Sequence, residues 1–161
     1  MTRKSEAVHE ITNLIYGYAA ALDQGDLTAV AALFEHCTIR VDGLPNAARG
    51  SAEVLEFFRP VLFYKGDSTA DPRDPDSVPA TRHLTTNLII EVAEDLFTAN
   101  ARSYFTVIQG RPDFPLQPVI AGRYHDRFEC VEHRWRFCER LEFIDLVGDL
   151  SRHLTMSIPK R

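Results

Sequence analysis

The chain has 161 residues, of which 45% are hydrophobic and 25% charged, and its net charge is −5. This composition predicts a single soluble globular domain over residues 1–161 and excludes a disordered chain. The acidic balance argues against a nucleic-acid partner, and no apolar run reaches the roughly 18 residues of a membrane span. The amino terminus lacks the apolar core of a signal peptide, so a cytoplasmic protein is expected. The three scattered cysteines predict reduced thiols instead of a disulfide framework or a zinc site.

The first third of the chain is predicted to be mainly helical. An apolar stripe predicts a helix over residues 6–22, and Gly25 and Asp26 are suited to end it and to cap the next helix. That second helix is short, over residues 27–34, and a strand follows at 38–42. Residues 43–50 are expected to be a loop, and Ser51 is expected to cap a third helix that ends near Pro60.

The remainder is predicted to be one loop and a sheet. Residues 64–79 contain prolines, glycine and aspartates that preclude regular structure, and a loop of this length is typically a lid, a binding loop or a disordered excursion. Four long strands are then expected at 81–92, 98–109, 119–131 and 134–144, the last two forming a hairpin. Helices followed by long strands predict an α+β fold in which a curved antiparallel or mixed sheet wraps around three N-terminal helices.

Two polar residues stand out against these elements. Asp23 ends the apolar stripe of the first helix, where a carboxylate is unfavourable with the helix dipole, and Tyr16 shares its helical face. His83 shares strand parity with Asn87, which places both on a polar face opposite Leu84 and Leu88. The ordinary alternatives are a solvated turn for Asp23 and a surface histidine on an edge strand for His83.

The order of these elements, with His83-x-x-x-Asn87-Leu, Gly122-x-Tyr124-x-Asp126-x-Phe128 and Trp135 to Arg140, resembles the SnoaL-like branch of the nuclear transport factor 2-like superfamily. The resemblance implies a cone-shaped α+β barrel with an open hydrophobic pocket, frequently in dimers. The family includes dehydratases, polyketide cyclases and isomerases that work without a metal or another cofactor, so none is expected here.

The resemblance also implies roles for individual residues. A late helix Asp and a strand His form the proton-transfer pair of dehydratase members, and Asp23 and His83 match them. Arg140 matches an arginine that follows the hairpin Trp, and Tyr18 matches a tyrosine five residues before the Asp. Tyr18 lies about 140° from Asp23 around an ideal helix, so Tyr16 remains its geometric competitor.

Strand parity and position indicate possible roles for three further residues. Arg140, in parity with Cys138 and opposite Phe137, is expected to point into the cavity and bind a substrate oxygen or an anion. A salt bridge to Glu142 or to the neighbours of Glu139 is an equal alternative. Tyr124 and His125 are secondary candidates for substrate binding, Tyr124 also being suited to the core or the pocket wall.

Two functions of different class follow. The first is a cofactor-independent lyase or isomerase acting on a small hydrophobic cyclic ketone or alcohol, in which His83 moves a proton and Asp23 orients it. The second is a non-catalytic module of the same fold that binds a small hydrophobic molecule or serves oligomerisation. A homodimer through the sheet is expected because strands that carry Ile89, Phe105, Val107 and Phe143 must bury one face.

Overall fold

A computed structural model describes residues 2–58 and 80–154. Three helices precede the long strands in this part of the chain. They are α1 (Arg3–Gln24), α2 (Leu27–Leu33) and α3 (Gly50–Phe58). The strands are β1 (Thr38–Val41), β2 (Ala47–Arg49), β3 (Thr81–Val92), β4 (Thr98–Arg111), β5 (Phe114–Val131) and β6 (Arg134–Val147). The 64–79 loop and the helix end near Pro60 lie outside the described residues.

The strands form one mixed sheet in the order β2-β1-β6-β5-β4-β3. All neighbours are antiparallel except β1 and β6, which run parallel. The sheet is open, and its inner face packs on α1, so the α+β architecture is as predicted. The short strand β2 falls in the segment 43–50 that was predicted to be a loop, and β5 begins five residues before its predicted start.

The end of α1 follows its sequence signals. Gly25 adopts a left-handed φ of 74°, and the N–H of Asp26 donates to the carbonyl of Ala21, which satisfies a helix-end acceptor. The Asp26 carboxylate in turn accepts from the N–H of Ala29 at 2.8 Å and caps α2. This tight turn fixes Asp23 at the end of α1, next to the start of β3.

A bulge in β3 changes which residues face inward. The β3–β4 register shifts between Thr86 and Ile89, where Asn87 has a left-handed φ of 53°. The extra residue reverses the alternation, so the apolar residues after the bulge face the same side as His83, and the predicted polar face for His83 is wrong. These inward apolar residues are Leu88, Ile90 and Val92.

A second bulge acts in the same way on β6. Phe128 pairs with Phe137 and Arg127 pairs with Glu139, which leaves Cys138 as the inserted residue. Phe137 and Arg140 therefore both face inward, although the alternation predicted opposite sides for them. The core and the buried arginine thus share one face of the sheet.

Candidate active site

Asp23 and His83 meet where α1 ends and β3 begins. The Nδ1 atom of His83 lies 2.6 Å from Oδ1 of Asp23, and the backbone N–H of His83 donates to Oδ2 at 3.0 Å. The hydroxyl of Thr81 donates to Oδ1 at 3.2 Å. The side chains of His83 and Asp23 are only 7% and 14% exposed, so this contact is largely shielded from bulk water.

These donors decide the charge state of Asp23. Burial alone raises the pKa of the Asp23 carboxyl, but the hydrogen bonds and charge of His83, with the bond from Thr81, lower that pKa below its ordinary value. Because Asp23 is ionised, Nδ1 of His83 carries the proton of the contact. When the ring loses its other proton, the lone pair is on Nε2, as a proton acceptor requires.

His153 is a second imidazole beside this pair, and no motif in the sequence pointed to it. Gln109, whose strand partner is Thr81, donates from Nε2 to the carbonyl of Arg152 at 2.9 Å and so holds the C-terminal turn against β4. His153 is buried there, and burial followed by the charge of His83 lowers its pKa to about 4. The His153 ring is therefore neutral near neutral pH.

Arg140 lies in a separate cluster on β6. Its Nε and Nη2 atoms each donate to the Asp126 carboxylate at 2.7 Å, a bidentate pair that is sealed from solvent. The guanidinium lies 4.2 Å from the ring centre of Tyr18 and 4.0 Å from that of Tyr124. The partner of Arg140 is thus Asp126, and not the Glu142 considered from the sequence.

The tyrosines of this cluster are neutral donors. Burial, followed by the charge of Glu142, raises the pKa of Tyr18, and burial raises that of Tyr124 as well. Their rings meet edge-on with centroids 6.1 Å apart. Tyr18 reaches this cluster instead of Asp23, as its position around α1 requires.

The structure also separates the two tyrosine candidates of α1. Tyr18 is 3% exposed and packs in the core, whereas Tyr16 is 49% exposed. Tyr16 therefore lies outside the buried clusters. Although it was predicted to share a helical face with Asp23, its side chain faces solvent.

Asn87 and His125 lie away from both clusters. Asn87 is exposed on the β3 bulge, where its left-handed backbone explains its presence. His125 is on the outer face of the sheet, with its ring 5.0 Å from that of Phe143. It lines an outer groove of about 540 Å³ together with Arg40 and Arg102. Tyr124, one residue earlier, faces inward.

Within residues 2–58 and 80–154, no group of three or more His, Cys, Asp or Glu side chains is arranged to hold a metal ion. No helix of those residues is long and apolar enough to cross a membrane.

An open cystatin-like α+β sheet with buried ionisable groups on its inner face defines the class of the protein. The SnoaL-like domain family matches residues 3–141, and the chain belongs to that family. No curated protein matches the chain in sequence.

Solved structures agree with the fold. An NTF2-like protein with a cystatin-like fold from Novosphingobium aromaticivorans is 22% identical with a TM-score of 0.68, covering 93% of this chain and 88% of its own. A proposed scytalone dehydratase from the same organism has 21% identity and a TM-score of 0.70, with 91% and 89% covered. LinA has 16% identity and a TM-score of 0.69, with 98% and 97% covered. At these identities the likeness establishes the fold alone, which is the one predicted from the sequence.

Proposed function

We propose that the protein is a cofactor-independent lyase or isomerase that acts on a small hydrophobic cyclic ketone or alcohol. The observation that carries this proposal is the 2.6 Å contact between Nδ1 of His83 and Asp23. An ionised carboxylate that receives Nδ1–H and the backbone N–H of the same histidine fixes both the ring orientation and its tautomer. The ring then presents Nε2 as the base for a carbon-bound proton.

The reaction begins when His83 removes a proton next to a carbonyl or an alcohol carbon. The ring becomes an imidazolium, and Asp23 stabilises its positive charge across the short contact. Negative charge develops on the substrate oxygen at the same time. Arg140 does not act on that oxygen, because its charge is paired with the buried Asp126; it is a positioning residue for the rings of Tyr18 and Tyr124.

The reaction class is supported by membership of the SnoaL-like family and by a shared fold with a structure described as a proposed scytalone dehydratase. The three cysteines are free thiols, which suits the reducing cytoplasm that we propose as the compartment. A small hydrophobic substrate is the partner we propose for the inner face, together with a second copy of the chain on the outer face.

Proton abstraction can be measured before the natural substrate is known. The α-hydrogens of 1-tetralone and 2-tetralone in D₂O exchange at a rate that proton NMR follows directly. We expect the protein to accelerate this exchange, and His83→Ala to abolish the acceleration. The matched control is His9→Ala, which removes an exposed imidazole from α1.

Exchange that is undiminished in His83→Ala would refute the mechanism. Binding of the ketones without any exchange would favour the non-catalytic binding module instead, because such a module needs a binding site but no base.

A further inference from the structure

The proposed reaction places negative charge on a substrate oxygen, and no residue described so far donates to that oxygen. The oxygen is bonded to the carbon next to the one that His83 deprotonates, so its donor has to lie close to Nε2 of His83. Arg140 is unsuited, because its charge is paired with the buried Asp126. The inward positions of β3 next to His83 are therefore the relevant ones.

Thr85 is the next inward residue of β3 after His83. The β3–β4 register is unbroken from Thr81 to Thr86, so alternate side chains of this stretch share one side of the sheet. That side is the inner one, because Thr85 pairs directly with Phe105, which is buried in the core. Two strand residues span about 7 Å, so the hydroxyl of Thr85 and the ring of His83 are neighbours on one surface.

The hydrogen bonds of Asp23 determine which edge of the His83 ring faces Thr85. Oδ1 of Asp23 contacts Nδ1 of His83 at 2.6 Å and also accepts from the hydroxyl of Thr81, two residues earlier on the strand. The Nδ1 edge of the ring therefore faces the Thr81 end of β3. In an imidazole ring Nε2 lies on the other edge, with Cδ2, so Nε2 is on the side of Thr85.

The strand neighbour of Thr85 leaves its side chain uncovered. The ring of Phe105 stacks on Tyr124 of β5 with centroids 4.5 Å apart, and its edge lies 2.8 Å from the position that a Cβ atom of Gly122 would take. Phe105 thus leans over β5 and away from β3. Thr85 keeps partial exposure, and its hydroxyl makes no hydrogen bond within residues 2–58 and 80–154.

We infer that the Thr85 hydroxyl donates a hydrogen bond to the substrate oxygen while Nε2 of His83 takes the proton from the adjacent carbon. The inference rests on the proposed function for the identity of the reaction. The spacing suits it, because a C–C=O unit with a contact of hydrogen-bond length at each end bridges two inward side chains whose Cα atoms are about 7 Å apart.

The proton and electron balance needs no co-reactant. The electron pair of the broken C–H bond forms a C=C bond, the C=O pair moves to the oxygen, and Thr85 stabilises this enolate while it keeps its own proton. In an isomerisation, the enolate takes the proton back from His83 at another carbon. In an elimination, the C=O bond forms again, a hydroxyl on the β-carbon leaves with the C–O pair, and the proton of His83 converts it to water. The His83 ring is neutral at the end of either course.

This contact narrows the substrate class to a ketone. The oxygen next to the deprotonated carbon has to take up an electron pair, which a carbonyl oxygen does and an alcohol oxygen does not. The substrate is therefore a cyclic ketone with a hydrogen on its α-carbon, and for an elimination it also carries a hydroxyl on the β-carbon.

Infrared spectroscopy of bound 1-tetralone tests the contact without depending on turnover. A hydrogen bond to a ketone lowers its C=O stretching frequency, and the difference between carbonyl-labelled and unlabelled ketone isolates this band from the protein. The band should lie at lower wavenumber in the wild-type complex than in the complex of Thr85→Val, which removes the donor and keeps the shape of the side chain. Thr85→Ser retains the hydroxyl and should keep the wild-type band.

The matched control is Thr86→Val, the same substitution one residue later, where the side chain is exposed on the outer side of β3. Its band should coincide with that of the wild type. Thermal unfolding of the four proteins verifies that each is folded.

The rate of α-hydrogen exchange in the same variants measures the effect on catalysis. Thr85→Val should lower this rate on the order of a hundredfold, as the loss of one donor to an oxyanion does. The affinity for the ketone should fall much less, because the contact strengthens as charge develops on the oxygen.

The outcomes separate the inference from the proposed function. The same band in wild type and Thr85→Val, an equal shift in Thr86→Val, or no binding of the ketone would overturn the role of Thr85. A band that depends on Thr85 without any hydrogen exchange would establish the contact and remove the proposed reaction. Exchange that requires His83 but is unchanged in Thr85→Val would keep the proposed function and remove this inference.

Discussion

The carboxylate of Asp23 accepts both the ring Nδ1–H and the backbone N–H of His83, sixty residues along the chain. This double attachment ties the end of α1 to the start of β3. It places a charged group at a helix C-terminus, where the dipole disfavours it, and compensates with three donors. A residue that is locally unfavourable and specifically satisfied is typical of a functional position.

Asp23→Asn tests this attachment. The amide cannot hold Nδ1–H in the same way, so the ring loses its fixed tautomer, and we expect the rate of ketone hydrogen exchange to fall on the order of a hundredfold or more. Asp26→Asn is the control, because an asparagine caps a helix almost as well as an aspartate. Exchange that falls equally in both variants would show a general loss of structure instead.

The buried His153 is expected to make the free energy of unfolding depend on pH. Its pKa is about 4 in the folded protein against 6.5 in the unfolded chain, so the unfolded state binds more protons between these values. The free energy of unfolding should therefore fall as pH decreases from about 6.5 to about 4, by up to about 3 kcal/mol.

Urea unfolding of wild type and His153→Gln over this range measures the effect. The variant should lose most of this pH dependence, while His36→Gln, which removes an exposed imidazole, controls for the loss of a histidine as such. A pH dependence unchanged in His153→Gln would contradict the buried, neutral state of that ring.

Arg140 and Arg123 form a natural matched pair. Each arginine makes a bidentate bond to an aspartate and lies over an aromatic ring, but Arg140 is sealed whereas Arg123 is partly exposed. Arg140→Gln leaves the buried Asp126 uncompensated and should cost about 3–5 kcal/mol of unfolding free energy. Arg123→Gln should cost about 1 kcal/mol or less. Equal losses in chemical denaturation would show that burial is not what makes the Arg140 pair important.

Substitution by alanine is expected to have opposite effects on stability at two glycines. A Cβ atom at Gly122 would lie 1.9 Å from the carbonyl oxygen of Phe143 and 2.8 Å from the ring of Phe105, so Gly122→Ala should prevent folding or lower Tm severely. A Cβ at Gly17 in α1 meets no atom within 4 Å, and Gly17→Ala should stabilise the protein by about 0.5–1 kcal/mol. Thermal unfolding monitored by circular dichroism distinguishes the two.

The outer face of the sheet carries the proposed homodimer contact. Leu84, Ile89 and Tyr104 are each about half exposed there. Sedimentation at micromolar concentration should show a dimer, and Ile89→Glu should produce a monomer because an unpaired charge would be buried. Val8→Glu, an exposed apolar position on α1, should leave the dimer intact. A monomeric wild type would contradict the proposal.

Phe105 and Val107, which were expected to contribute to this face, are buried on the inner side.

The sequence predicted helix positions, caps and long strands because these depend on local signals. Gly25 and Asp26 are specified by backbone conformation and capping chemistry, and they are found as expected. Side-chain direction was predicted less well, because alternation assumes strands without insertions. Asn87 is a residue that tolerates the left-handed region, so a bulge there had a weak signal, whereas Cys138 had none.

His153 was missed as a neighbour of the site for a different reason. Its environment arises from contacts between distant parts of the chain, such as the bond from Gln109 to the carbonyl of Arg152. A buried, neutral histidine has no periodic pattern in the sequence, since burial and neighbouring charges create its state.

The bulges at Asn87 and Cys138 divide two strands into halves that can vary independently. Before Asn87, β3 carries His83, and after it the same inward side carries apolar residues that pack in the core. Removing one residue at the bulge would restore regular alternation and force one half to turn outward, so either the imidazole or the apolar residues would lose their place. The inserted residue therefore lets a strand combine a reactive segment and a packing segment on one surface, and substitutions in one segment need not be matched in the other.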